Sequence, residues 1–159
     1  QILQWKRAPG QNWDFEDGTY KDWQVSGEAF YDRPSIGPIG GQTPIRGYEG
    51  NYFINSYLKG SDLASGTISS PTFVLQGDRM RFRIGGGQDE QRLYVGLRIN
   101  GNLVLRTTGD RSETLRSVTW DISPWIGHTA QVEISDQSSG VWGHILADEI
   151  RIFSSPRLH

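Results

Sequence analysis

Three groups of residues in this chain have types and spacings suited to chemistry. One is Gly140-Val141-Trp142-Gly143-His144-Ile145. Glycines on both sides of an indole free the backbone and leave the ring open. Trp142 can then stack on an apolar ligand face, while His144 donates or accepts a hydrogen bond. The plainer reading is a Trp that plugs the end of the fold, with His144 bonded to a carbonyl. Another group is polar residues at the ends of strand-like runs: Asn55 with Ser56, Gly85 to Gly87, Arg106 with Thr107 and Thr108, and Asp110 to Glu113. Asn, Asp, Glu and Arg offer planar, forked hydrogen bonds of the kind that grip neighbouring hydroxyls. Arg106 follows the apolar run Leu103-Val104-Leu105, so it needs solvent or a partner. Asp110 or Glu113 across the next turn can supply one, and the plainer reading of that pair is a surface ion pair of little energetic weight. The last group is Asp14, Glu16, Asp17 and Asp22 near the start, with Asp148-Glu149 in the final strand-like run. First and last strands of an antiparallel sandwich are often neighbours. Glu16 and Asp148, helped by carbonyls, can then form an oxygen cage for Ca²⁺, a hard cation taking about six to eight such ligands. The plainer reading is an Asp-Gly turn with solvated acids and a last-strand Asp that caps backbone amides.

Catalytic signatures are missing by comparison. No nucleophile elbow of the form G-x-S-x-G is present. Neither H-E-x-x-H nor a P-loop occurs, and no helix pattern follows Gly85-Gly86-Gly87 to make it a dinucleotide loop. Of the three histidines, His159 is terminal and His128 follows a turn at Gly127, which leaves His144 as the one of interest. Any two of the 18 acids could converge as a glycosidase pair. However, enclosing a sugar usually takes a larger fold. The expectation is therefore a non-enzyme.

The elements that must position these residues are strands. No stretch keeps helical apolar spacing without a Gly or Pro interruption. Strand-like runs cover 23–30, 51–58, 66–70, 72–75, 79–84, 93–99, 103–107, 117–122, 130–135 and 144–153. Arg79 to Ile84 alternates cleanly, with Met80, Phe82 and Ile84 on one face and three arginines on the other. Asn100-Gly101 between two such runs is a strong hairpin signal. The fold class expected is all-β: a β-sandwich, or jelly roll, of about nine or ten short antiparallel strands. Residues 31–47 hold too much Pro and Gly for regular structure and read as a long surface loop. Residues 1–12 and 154–159 read as connectors around a sandwich at 13–153, so the domain is expected to belong to a longer protein.

Composition narrows the class further. The chain has 159 residues, enough for one domain with its own core. It has no cysteine, which excludes disulfides, thiol nucleophiles and thiolate metal sites. Six Trp, six Tyr and six Phe stand beside 20 Gly and one Met, a mixture that suits strands, tight turns and flat ligand platforms. The net charge of -2 with interspersed signs argues against a nucleic-acid partner. No apolar run is long enough for a membrane helix.

The chain also carries an ordered set of motifs. These run Asp14-Phe15-Glu16-Asp17-Gly18-Thr19-Tyr20, Trp23, Gly27-Glu28-Ala29-Phe30, Asn55-Ser56 and Gly66 to Phe73. They continue with Ile84 to Gly87, Arg106 to Gly109, Trp120 to Ser123 and Gly140 to Ile145 with Asp148-Glu149-Ile150. Over about residues 13–153 this succession resembles the inulin-binding carbohydrate-binding modules attached to fructan-active glycoside hydrolases and cycloinulo-oligosaccharide fructanotransferases. Val141 stands where a Gly is expected, and Ala147-Asp148-Glu149 where Val-Asp-Gln is expected. Neither change removes a polar candidate. The resemblance implies a secreted or cell-surface β-sandwich of bacterial type that binds a polysaccharide, inulin or levan foremost. It implies a catalytic domain in the same longer chain and a structural Ca²⁺. The site expected is a shallow rim pocket with Asn55, Arg106, Asp110, Glu113 and His144 as hydrogen-bonding groups and Trp142 as the platform. The alternative is a spacer domain that packs on a catalytic neighbour and binds no sugar.

Overall fold

The computed structural model describes residues 6–7, 14–36, 45–57, 64–138 and 142–154. Eleven strands are defined there: β1 (Lys6–Arg7), β2 (Gln24–Gly27), β3 (Ile54–Asn55), β4 (Gly66–Ser69), β5 (Phe73–Val74), β6 (Arg79–Gly86), β7 (Leu93–Ile99), β8 (Asn102–Thr107), β9 (Ser112–Asp121), β10 (Thr129–Asp136) and β11 (Ile145–Ser154). They form two antiparallel sheets. Sheet I runs β1-β11-β6-β9, with β3 beside β11; sheet II runs β2-β4-β10-β7-β8, with β5 beside β10. The β-sandwich expected from period-2 patterning is the architecture observed.

The alternation reads directly onto the faces. Met80, Phe82 and Ile84 of β6 are fully buried between the sheets, and Arg79, Arg81 and Arg83 project from the outer face of sheet I. Leu93, Val95, Leu97 and Ile99 of β7 face them with Val132 and Ile134 of β10. Asn100 and Gly101 join β7 to β8 with φ of 50° and 84°, the two positive values that a type I′ turn requires. The chain otherwise crosses repeatedly between sheets, so the two layers cannot separate without breaking one shared core.

Several expected runs are trimmed. The run at 51–58 is regular only over Ile54–Asn55, because the Asn55 Oδ1 accepts the Tyr57 N–H at 2.9 Å and turns the chain. The run at 23–30 stops at Gly27, whose φ of 79° starts a turn. Lys6–Arg7, placed in a connector by sequence, pairs with Ser154 and Phe153 and extends sheet I. Of the long loop, residues 37–44 lie outside the described residues; its ends are tied by bridges from Ser35 to Phe53 and from Arg46 to Thr114. Residues 45–53 cross the outer face of sheet I over a second small core of Ile45, Phe53, Leu115 and Leu146, with Tyr48 packed against it.

Candidate functional site

The ends of β3, β6, β8 and the starts of β9 and β11 meet at one rim of the sandwich. Hydrogen bonds between the connecting loops hold them there. Gly87 donates its N–H to the His144 carbonyl at 2.9 Å, and Arg111 donates to Gly86 at 2.8 Å. The Thr108 hydroxyl donates to the Gly87 carbonyl at 3.2 Å and accepts from the Asp89 N–H at 2.8 Å. A Cβ at Gly87 would collide with the Trp142 carbonyl oxygen, so only glycine lets the two loops approach this closely.

At this rim β9 bulges away from β6. Ile84 pairs with Arg116 but Gly86 pairs with Ser112, so three residues of β9 stand opposite Gly85 alone. The freed segment bonds instead to Arg46, whose N–H reaches the Glu113 carbonyl at 3.0 Å. The bulge carries the Glu113 carboxylate to His144, with Oε1 and Nε2 2.6 Å apart. The exposures of 8% and 5% make this a buried pair. With the carboxylate ionised, Nε2–H is the donor, a short charge-assisted bond in a dry setting. The imidazole in turn touches two aromatic rings. Trp142 stacks on it at 5.6 Å and 24°, and Tyr57 lies tilted at 5.3 Å. Trp142 holds a left-handed φ of 59°, a conformation costly for a bulky residue, closed by the His144 N–H to the Trp142 carbonyl at 2.8 Å.

The six rim candidates therefore divide. Glu113, His144 and Trp142 are brought into one contact chain. Asn55 is fully buried beneath the same rim, beside Ser56, whose hydroxyl accepts the Ile145 N–H at 2.7 Å. Asp110 is exposed on the β8–β9 loop. Arg106 points elsewhere. Because Leu105 and Thr107 turn into the sandwich, strand alternation sends Arg106 to the outer face of sheet II, over the Tyr94 ring at 6.0 Å. It does not pair with Asp110 or Glu113: among the described residues its guanidinium has no carboxylate at ion-pair distance. Asn55, Glu113 and His144 are buried, and of the three His144 contacts both rings. Sequence reading missed Tyr57, and the Gly140-Val141 part of its motif lies outside the described residues. The signal for Tyr57 was its place two residues after Asn55, at the end of a strand-like run.

The two metal candidates grip a single turn. Glu16 accepts the Asn51 and Tyr52 N–H groups at 2.7 and 2.9 Å, and Asp148 Oδ2 accepts the Glu49 N–H at 2.7 Å. The other Asp148 oxygen, Oδ1, is buried with no hydrogen-bond partner among the described residues. Burial above all pushes the Asp148 carboxyl up to about 8, and the Glu16 and Glu149 charges add to this against the pull of backbone amides. A buried, unsatisfied carboxylate oxygen near a second carboxylate suits a hard cation. No three His, Cys, Asp or Glu side chains converge among the described residues, so backbone carbonyls would have to complete such a site. A cation held by Glu16 and Asp148 would lock the start of the sandwich to its last strand.

No family model matches the chain. Over 137 residues, or 86% of its length, it is 34% identical to ecdE of Aspergillus rugulosus, a protein named as a glycosyl hydrolase. The match spans 19% of that protein. Among solved structures, TmCBM61 in complex with β-1,4-galactotriose is similar with a TM-score of 0.59 and 19% identity, over 94% of this chain and all of that one. The Stig cyclase Fisc from Fischerella sp. TAU has a TM-score of 0.63 at 14% identity, covering 98% and 100% of the two chains. The K1 adhesin domain of Lys-gingipain from Porphyromonas gingivalis W83 has 0.58 at 18%, covering 89% and 96%. These likenesses show a shared β-sandwich, a scaffold that carries different functions in different proteins.

Proposed function

We propose that this domain is a non-catalytic carbohydrate-binding module that holds an attached glycoside hydrolase or transferase against a polysaccharide, inulin or levan foremost. One observation carries the reading: the Trp142 indole sits at a rim in a strained conformation, backed by a buried His144–Glu113 pair and joined by Tyr57. A rigid aromatic pair of this kind offers apolar faces for sugar rings with little entropy left to lose. Asp110, exposed on the β8–β9 loop, would meet hydroxyls. The match to about a fifth of a protein named as a glycosyl hydrolase supports the appended role. Binding by a tethered module raises the local concentration of enzyme on its substrate and leaves the chemical barrier unchanged. An extracellular setting and a structural Ca²⁺ on Glu16 and Asp148 belong to the same reading. Affinity of a single module is expected at micromolar to millimolar Kd, about -8 to -4 kcal/mol, because exposed hydroxyls exchange water for protein partners at small net gain.

Retardation in native gels containing inulin or levan tests this. The intact domain should be slowed, and Trp142→Ala should run as in a sugar-free gel while keeping its melting temperature. No retardation by any glycan would identify a spacer domain instead. Release of reducing sugar from a polysaccharide panel by the domain alone would identify an enzyme.

A further inference from the structure

The outer face of sheet I holds a small cavity of about 90 Å³. It is lined chiefly by Arg81, Arg83, Arg151, Ser117, Glu49 and Glu149. A bulge in β11 creates it. Asp148 pairs with Arg83 and Arg151 pairs with Arg81, with the register shifted between them and Glu149 at φ 50°. Three residues apart, Asp148 and Arg151 would face opposite ways in a regular strand; the bulge puts both outside. Arg81 and Arg151 thereby stand opposite each other across adjacent strands, and like charges so placed destabilise a sheet unless opposite charge is supplied.

The side chains present meet that demand only in part. Arg83 is engaged by Glu49 at 2.7 Å and by the Gly47 carbonyl at 3.2 Å. Arg151 Nε is engaged by Glu149 at 2.7 Å, and Asp14 stands 3.8 Å from its Nη2. Arg151 Nη1 is buried with no acceptor among the described residues. Arg81 lies 4.9 Å over the Phe153 ring and has no carboxylate partner among the described residues. The exposed Arg81 guanidinium, with no carboxylate beside it, can take an acceptor from outside the chain. Two guanidiniums and the Ser117 hydroxyl offer donors in the fork geometry that carboxylates and sulfates accept. The volume is far below the roughly 300–1,000 Å³ of pockets that enclose whole small molecules, so it fits one such group and not a sugar ring.

We infer that this cavity is a second binding site, one that takes a single oxoanion group carried on a sugar, either the carboxylate of a uronic acid or a sulfate ester. It extends the sugar-binding reading to acidic glycans but stands on different residues from the Trp142 rim. The test follows arginine Nε–Hε resonances by NMR at constant ionic strength. The domain is titrated with sodium galacturonate, with glucose 6-sulfate, with inorganic sulfate and with neutral galactose. Saturable shifts of Arg81 and Arg151 are expected with galacturonate or with glucose 6-sulfate, whichever oxoanion fits, and none with galactose. Arg81→Gln, at an exposed position, should weaken that binding at least about tenfold, the scale of one charge-assisted hydrogen bond. Its retardation by inulin or levan should match that of the unaltered domain, so the two sites fail or stand separately. Shifts with inorganic sulfate alone, equal binding by Arg81→Gln, or no saturable shift with either acidic sugar would each overturn the inference.

Discussion

Replacing Asp148 by Asn removes a buried ionisable carboxyl while keeping the oxygen that accepts the Glu49 N–H. The fold raises this carboxyl from 3.8 to about 8. A group raised in this way favours the fold fully below its unfolded value, and that contribution is lost as pH climbs toward its folded value. At about 1.36 kcal/mol per unit, the raised value lowers stability, relative to acid, by at most roughly 5–6 kcal/mol at pH 8, against about 1.5 at pH 5. The difference of about 4 kcal/mol corresponds to a fall of roughly 8–16 °C in melting temperature for a domain of this size. In chelator the unaltered domain should therefore lose stability from pH 5 to pH 8, while Asp148→Asn melts more evenly and ends the more stable of the two. A Ca²⁺ held by Glu16 and Asp148 would bind the ionised form, so a concentration about 100 times Kd should return about 2.7 kcal/mol, roughly half of the loss at pH 8, to the unaltered domain and nothing to Asp148→Asn. Differential scanning fluorimetry across pH, with and without Ca²⁺, reads all of this. Parallel melting of both proteins from pH 5 to 8 would refute the burial argument. A calcium shift retained by Asp148→Asn would refute the metal assignment.

Two further outcomes concern the rim. Glu113→Ala leaves the His144 Nε2–H without its acceptor in a buried site, and a loss of about 1–3 kcal/mol is expected by chemical denaturation, together with weaker retardation by fructan as Trp142 loses its backing. Gly87→Ala drives a methyl group into the Trp142 carbonyl, so displacement of the loop should show as altered Trp fluorescence and lost fructan binding; an unchanged emission spectrum would contradict the packing.

Much of the scaffold was legible because its signals are local. Alternation in Arg79 to Ile84 requires nothing but the two-residue period of a strand, and Asn100-Gly101 requires nothing but the turn that joins its neighbours. The shortened runs at 54–55 and 24–27 departed from expectation for an equally local reason, an Asx turn and a left-handed glycine. The candidate site was legible in part. Glu113 and His144 stood out as polar residues at strand ends, but Arg106 was assigned to them on proximity in sequence, and strand alternation turned it to the other face.

Sequence alone determined a β-sandwich and which face of Arg79 to Ile84 turns inward, since patterning and turn chemistry act over a few residues. Tertiary structure decided which strand ends share a rim, that a bulge in β9 hands Glu113 to His144, and that a bulge in β11 sets Arg151 opposite Arg81. Pairing between strands distant along the chain sets those contacts, and the one extra residue in the β11 bulge reverses the face on which the later residues of that strand fall.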